Sequence, residues 1–449
     1  FALLLPEIVA SFNKWTPQLL GAVPGCSSLF VKHPETASYI HGRILDYALS
    51  GPFEKSERTI LYEFNKQQKI FSYSTVGMPF PSLSSFNESG LSLALHYKHG
   101  KHFDLDGTSI FEITYDIISK CDNIREAIKL IKKQKSISYW GLYLADKNGE
   151  VASIDIKGHE VFQEKFDLND HKYLYFNNRP LIKQNELEAI QPFGNFNQCI
   201  MRRDKISELI KKESLFNEKD PLLSIIKTLG HHQESKAKSA KNWKLSPLNT
   251  GSIQLYAVDL NNARSLQIPG QAPKFYEAEY YEYKNIFSKI EFHHRKNKNH
   301  KSSFFIQGMK DLSSYQSSFD IGDMTKAYHY IQLAIEKLKG HPEEIIARFY
   351  FLITQYLFES DKRDYTYLYE ELLELRGKLP EYLNDHLILF LLRLSRCIGH
   401  SPGVSESDIK NKELKKYFKN EERLNPMALK ALKHLIFPRV EILDIIYSY

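Results

Sequence analysis

Gly25-Cys26-Ser27-Ser28-Leu29-Phe30-Val31 is the stretch on which the reading of this chain turns. The run Gly21 to Gly25 is turn-prone, and the two hydroxyl residues after the cysteine give way to Leu29, Phe30 and Val31. Cys26 therefore falls at the head of a predicted strand. Upstream, Pro6 to Leu20 reads as a short amphipathic helix, separate from the strand that begins at Cys26. The chain opens on Phe1 rather than Met, which implies sequence upstream and leaves the compartment open, a secreted, periplasmic or lumenal one included.

Downstream of Cys26 the pattern stays strand-rich to about residue 275. Thr59 to Phe64 and Ile70 to Thr75 flank the polar Asn65-Lys66-Gln67-Gln68-Lys69, a hairpin by length and composition. Tyr139 to Ala145 and Val151 to Ile156 flank Asp146-Lys147-Asn148-Gly149, where Asn-Gly supplies the positive backbone angles of a tight hairpin turn. Apolar residues at helical spacing mark Ile110 to Lys133, and Arg202 to Leu229 with a break near Asn217. Ile253 to Leu260 and Ser265 to Ile268 close the series. Strands, helix, strands, helix, strands is the order of an α+β domain with helices layered on sheets.

Past the basic stretch Lys289 to Lys301 the period becomes purely helical, with helices expected at Asp323 to Lys339, Glu343 to Phe358, Asp364 to Lys378 and Glu381 to Ile398. Pro342 and Pro380 open equivalent helices, which suggests stacked helical hairpins whose Leu, Phe and Tyr stripes form a core. The expected division is a leader (1–25), a layered domain (26–285), a basic linker (286–304) and an all-α helical-hairpin domain (305–449) available to a protein partner.

Length and composition agree with more than one core: 449 residues with 27 Tyr and 28 Phe. A net charge of +6 is too small to argue for nucleic acid, and the basic stretch lacks interleaved stacking aromatics. No apolar run reaches the ~20 residues of a membrane span, since even the first ten residues break at Pro6 and Glu7. Four cysteines without a CxxC pair indicate neither a zinc site nor a disulfide framework. His231 and His232 have no third ligand at metal spacing and read as an exposed loop. No metal or cofactor is expected.

Cys121, Cys199 and Cys397 sit in helical patterns and read as small hydrophobes. Cys26 differs: after a polar stretch it is followed by His41-Gly42-Arg43-Ile44-Leu45-Asp46-Tyr47. GCSS followed by GRILDY resembles the start of the N-terminal-nucleophile enzymes that include bile salt hydrolases, acid ceramidases and penicillin acyltransferases. In the same order, Ser85 to Leu95 (SFNESGLSLAL) resembles that group's Asn-Glu-x-Gly-Leu strand entry and Cys121 to Ile128 (CDNIREAI) its following helix. Tyr173 to Pro180 (YLYFNNRP) resembles its Thr-Asn segment, and Ser252 to Pro273 its closing hairpin. The resemblance covers residues 26 to 275 and implies a four-layer αββα sandwich.

It also implies chemistry. A cysteine that becomes a chain's first residue carries a thiol and an α-amine, and an amine of pKa near 7.7 to 8.0 can take the thiol proton close to neutral pH. Arg43 would favour the thiolate, and Asp46 would hold the amine by a charge-assisted hydrogen bond. Asn177 matches the family's oxyanion asparagine, with Asn178 the alternative because Phe176 stands where many members have Thr. His96 lies where relatives carry a second asparagine or a tyrosine, as an oxyanion donor, a pocket residue or a plain strand residue. A late arginine of several relatives has no match near Asn249 to Ile253. Tyr47, Phe80, Phe86, Trp140 and Tyr143 are candidates for an apolar acyl pocket or for core.

The expected function is thus self-cleavage between Gly25 and Cys26, then hydrolysis of a linear amide of an N-acylated small molecule or lipid through a Cys26 thioester. Two alternatives stand beside it. In one an amine takes the acyl group; in the other a helical interaction protein carries an inactive relic.

Overall fold

The computed structural model describes Glu7 and residues 25–46, 57–65, 67–75, 81, 83–98, 102–181, 193–212, 218–230, 237–244, 246–270, 272, 274–298, 300–358, 362–399, 403–423, 433 and 436–448. The leader helix expected at residues 6–20, apart from Glu7, lies outside them. Two compact units emerge, one of Phe1–Lys236 with Asn242–Ser302, the other of Ala237–Lys241 with Ser303–Tyr449.

The first unit is built on two seven-stranded antiparallel sheets. The first sheet runs β10 (Leu174–Asn177), β1 (Gly25–Lys32), β2 (Tyr39–Asp46), β11 (Ser252–Asp259), β12 (Arg264–Gln267), β13 (Glu279–Lys284), β14 (Glu291–Lys296). The second runs in chain order: β3 (Glu57–Tyr62), β4 (Ile70–Thr75), β5 (Ser84–Asn87), β6 (Ser92–Tyr97), β7 (Tyr139–Ala145), β8 (Glu150–Lys157), β9 (Glu160–Asp167). Both hairpins read from turn chemistry are present, as β3–β4 and β7–β8.

Helices α1 (Ile110–Lys120) and α2 (Ile124–Ile131) cover the second sheet, where Ile113, Ile117 and Ile128 meet Leu93, Leu95 and Ile154 in one buried cluster. On the first sheet, α3 (Phe193–Lys212) and α4 (Pro221–Gly230) bury Ile206, Ile225 and Leu229 against Leu29, Ile44 and Leu255. A third cluster, with Phe30, Phe71, Phe86, Tyr143 and Tyr256, fills the space between the sheets. The expected four layers, αββα, are therefore formed.

The helix expected over 110–133 is two helices. Cys121 leaves the α region (φ −105°, ψ 136°), and the Asn123 side chain starts α2 by accepting the Glu126 amide N–H. A second difference concerns the basic linker. Within it, residues 291–296 form the edge strand β14, because Phe292 and His294 alternate onto one face against Tyr281, at 5.2 and 4.9 Å between ring centroids. Charge had masked a period of two.

The second unit is all helical: α5 (Phe304–Asp320), α6 (Met324–Lys337), α7 (Glu344–Phe358), α8 (Lys362–Glu374), α9 (Glu381–Ile398), α10 (Lys412–Glu421) and α11 (Ile442–Tyr447). Pro380 stands at the N-cap of α9. The expected stripes are core, with Phe349, Ile353, Leu387 and Phe390 buried, and Arg393 pairs with Glu421 out of solvent. Sequence reading passed over α5, whose serines and glutamines dilute the apolar stripe that Ser303 caps.

Candidate active site

Pleating divides β1 between two environments. Leu29 and Val31 point to the helix layer, while Phe30, and with it Cys26 and Ser28, faces the second sheet. Antiparallel pairing then sets Ser28 opposite Arg43 and Gly25 opposite Asp46. Sequence spacing of seventeen residues thus becomes contact: Nη2 of Arg43 lies 3.7 Å from Cys26 Sγ and 2.5 Å from the Leu95 carbonyl, while its Nη1 donates to the Leu83 carbonyl. Cys26 and Arg43 are both buried. Burial raises the thiol pKa, Arg43 opposes that rise, and Asp46 adds to it; the net shift is upward, so the sulfur in the uncut chain is a thiol.

Asp46 is the best-tethered carboxylate of the site. Its Oδ1 accepts from the Ser252 hydroxyl at 2.6 Å and its Oδ2 pairs with Arg202 Nη2 at 2.7 Å. Arg202 comes from α3 and also donates to the Pro247 carbonyl at 2.6 Å and to Ser27 Oγ at 3.2 Å. Burial alone would lower its pKa, but Asp46 and Tyr175 outweigh burial and raise it, so this guanidinium stays charged. Where the sequence offered no arginine near Asn249 to Ile253, Ser252 supplies a hydroxyl and a helix supplies the charge. A Cβ at Gly25 would stand 2.6 Å from Asp46 Oδ2, so the residue before Cys26 has room for no side chain.

The asparagine pair falls one residue from the expected register. Ser27 pairs with Asn177, and the Asn177 amide turns to the helix layer, donating to the Cys199 carbonyl at 2.9 Å and accepting the Arg179 N–H at 3.0 Å. Asn178 is the residue that reaches the backbone of Cys26. Its Oδ1 accepts the Cys26 N–H at 2.6 Å and its Nδ2 donates to the Tyr97 carbonyl at 2.8 Å. One step along a strand reverses the face, and the sequence signal was a dipeptide without a face.

His96 lies between the sheets, not on the surface. Its Nε2 is 2.9 Å from Ser28 Oγ, which is also 3.2 Å from Nε2 of His41, and its ring packs on Tyr143 at 4.3 Å. Burial first, then the charge of Arg43, lowers both histidine pKa values well below the ordinary value, so both rings are neutral near pH 7. His41 and Ser28 stand beside and inside the stretches that carry the resemblance, but sequence reading assigned neither a role.

Of the pocket candidates, Phe86 and Tyr143 face the inter-sheet layer. Trp140 belongs to the opposite, helix-side cluster, and its Nε1 donates to buried Glu7 Oε2 at 2.9 Å. Tyr47, Phe80, His231 and His232 lie outside the described residues. Among the described residues no group of His, Cys, Asp or Glu could hold a metal ion, and no helix is long and apolar enough to cross a membrane.

Comparison with curated protein sequences gives no match. Similar solved structures include a Caenorhabditis elegans N-acylethanolamine-hydrolyzing acid amidase ortholog, 12% identical, TM-score 0.38, over 52% of this chain and 93% of that one. A variant of conjugated bile acid hydrolase from Clostridium perfringens is 10% identical, TM-score 0.39, over 62% of this chain and 98% of its own. Penicillin V acylase from Agrobacterium tumefaciens is 11% identical, TM-score 0.34, over 62% and 99%. Residues 35–208 match the family model of acyl-coenzyme A:6-aminopenicillanic acid acyl-transferase, a stretch that begins after Cys26 and holds Arg43, Asp46, His96, Asn177 and Asn178. Over those residues the chain is similar to the penicillin acyl-transferase domain that this family model describes.

Proposed function

We propose that the protein is a self-processing amide hydrolase with Cys26 as its nucleophile. The observation that carries the reading is the convergence on one buried residue: the Arg43 guanidinium 3.7 Å from its sulfur and the Asn178 amide oxygen 2.6 Å from its nitrogen. In the first reaction Cys26 Sγ attacks the Gly25 carbonyl carbon, the Gly25–Cys26 C–N bond breaks as the nitrogen takes up a proton, and water hydrolyses the resulting thioester. Residues 1–25 act as the leader removed in this step. The new α-amine of Cys26 becomes the base its thiol lacked.

In the second reaction the thiol proton passes to that amine while sulfur bonds to the acyl carbon of a linear N-acyl amide. The leaving amine takes the proton, and water then releases the acid. Arg43 stabilises the thiolate, Asp46 orients the α-amine from a position fixed by Arg202 and Ser252, and Asn178, which the resemblance offered as the alternative to Asn177 for the oxyanion asparagine, holds the Cys26 nitrogen. His96, neutral and bonded to Ser28, lines the layer behind the nucleophile. The substrate is an N-acylated small molecule or lipid. A second reading, transfer of the acyl group to an amine, is favoured by the name of the matching family model.

The test is mass spectrometry of the purified chain with and without a panel of N-acyl amines, ceramides, bile-salt conjugates and penicillins. A chain beginning at Cys26 and an acyl group on Cys26 are expected, both lost in Cys26→Ala. Added amines that capture acyl product faster than water does would select the transferase. Full amide hydrolysis by Cys26→Ala refutes the assignment.

A further inference from the structure

Lys98 follows β6 and is a fully buried cation between the sheets. Its Nζ lies 2.5 Å from the Arg179 carbonyl, 3.5 Å from the Asn177 carbonyl, 2.7 Å from the Tyr143 hydroxyl and 3.4 Å from Asp155. The Tyr143 hydroxyl donates to the same Asn177 carbonyl at 3.1 Å. Asp155 in turn accepts the Leu181 N–H at 2.9 Å. One ammonium and its two partners thus grip the backbone on both sides of Asn178, whose own amide is held by the carbonyl of Tyr97, the residue before Lys98.

A buried ammonium is costly, and a join between sheets can be made from apolar groups, so the placement calls for a reason. The strand opposite is cut back for it: a Cβ at Gly141 would overlap Lys98 Cε. Burial pushes the lysine pKa down, but Asp155 and Tyr143 push it up by more, and the charge persists through neutral pH. A donor of fixed charge aimed at two carbonyls is a positioning device for the segment between them.

We propose that Lys98 is the positioning residue of this centre: by clamping the carbonyls of Asn177 and Arg179 it fixes the direction in which Asn178 meets the nitrogen of Cys26. The inference rests on the reading of Cys26 as nucleophile, yet the clamp has a readout of its own.

Two variants test it. Lys98→Met paired with Asp155→Asn removes both charges together, so no lone charge is left buried, and Gly141→Ala keeps the charges but drives the ammonium off its carbonyls. In the uncut Cys26→Ala background, hydrogen exchange of the residue 26 amide should become at least about tenfold faster in both, as Asn178 lets go of it. With Cys26 present, self-cleavage should slow by about tenfold to a hundredfold at temperatures well below each variant's melting point. Amide hydrolysis should lose kcat with KM little changed. Unaltered exchange at residue 26, or a folded variant that cleaves at the wild-type rate with a lowered melting point alone, overturns the proposal. A wild-type chain that neither cleaves nor acylates instead removes the role of Cys26, and the exchange measurement still decides whether Lys98 sets Asn178.

Discussion

Replacing each of two adjacent asparagines by alanine separates the register of the structure from that of the resemblance. Asn178→Ala deletes two buried hydrogen bonds, to the Cys26 N–H and the Tyr97 carbonyl. At about 0.5–1.5 kcal/mol for each buried hydrogen bond lost, folding stability should fall by roughly 1–3 kcal/mol. On the proposed mechanism, loss of the amide that holds the Cys26 nitrogen should also slow self-cleavage and amide turnover by about a hundredfold or more. Asn177→Ala removes the hydrogen bonds to the Cys199 carbonyl and from the Arg179 N–H on the helix side, so it should lower stability by a similar amount, about 1–3 kcal/mol, yet leave cleavage within about fivefold of wild type. The assay is a time course of the cut at Gly25–Cys26 by mass spectrometry on refolded protein, beside a denaturation curve that confirms each variant is folded. Cleavage abolished by Asn177→Ala and spared by Asn178→Ala would refute the register argued from β10.

Arg202→Met should leave Asp46 buried with a hydroxyl as its one remaining partner and cost about 3–5 kcal/mol, measured by denaturant midpoint; an unchanged midpoint would mean that the ion pair is not formed. Gly25→Ala should displace the Asp46 carboxylate and slow self-cleavage at least about tenfold in a folded protein, and a wild-type rate would show that Asp46 plays no part in that step. Both His41 and His96 have folded pKa values below the unfolded value near 6.5, so below that pH the unfolded chain binds more protons than the folded one. Stability of the first unit should therefore decline as pH falls through 6.5, by up to about 1.4 kcal/mol per pH unit for each histidine, and His96→Gln should flatten the melting-temperature profile there; a profile that does not change would remove His96 from the buried seam. A chain ended after the first unit's sequence should still cut itself at Cys26 if the helical unit adds nothing to the chemistry, and loss of the cut in folded protein would reverse that.

Local signals carried much of the fold. The hairpin at residues 139–157 was legible because turn chemistry and period agree within twenty residues. Arg43 and Asp46 were legible through the resemblance of GCSS and GRILDY, and the antiparallel β1–β2 pairing is what returns them to Cys26. The rest of the site depends on partners far along the chain. Arg202 is one basic residue on a helix with many, and nothing in its neighbourhood points to Asp46.

Lys98 was hidden, and His96 left between three readings, by a rule that usually works. In Ser92 to Lys98, apolar Leu93, Leu95 and Tyr97 alternate with smaller or polar residues, and a sheet with one wet face would put His96 and Lys98 in solvent. Here Leu93, Leu95 and Tyr97 pack under the helices, Ala94 faces the first sheet, and His96 and Lys98 are fully buried on Ala94's side of the strand. A four-layer sandwich has no wet face on either sheet over its centre, so polar residues in strand alternation are directed into the layer between the sheets. There each must find a partner or be neutral. Ser28, His41, Arg43, His96, Lys98 and Asp155 do so as one seam, with Cys26 at its end. Once the four layers are recognised, polar residues on the inward side of central strands become the first places to look for chemistry, ahead of any motif.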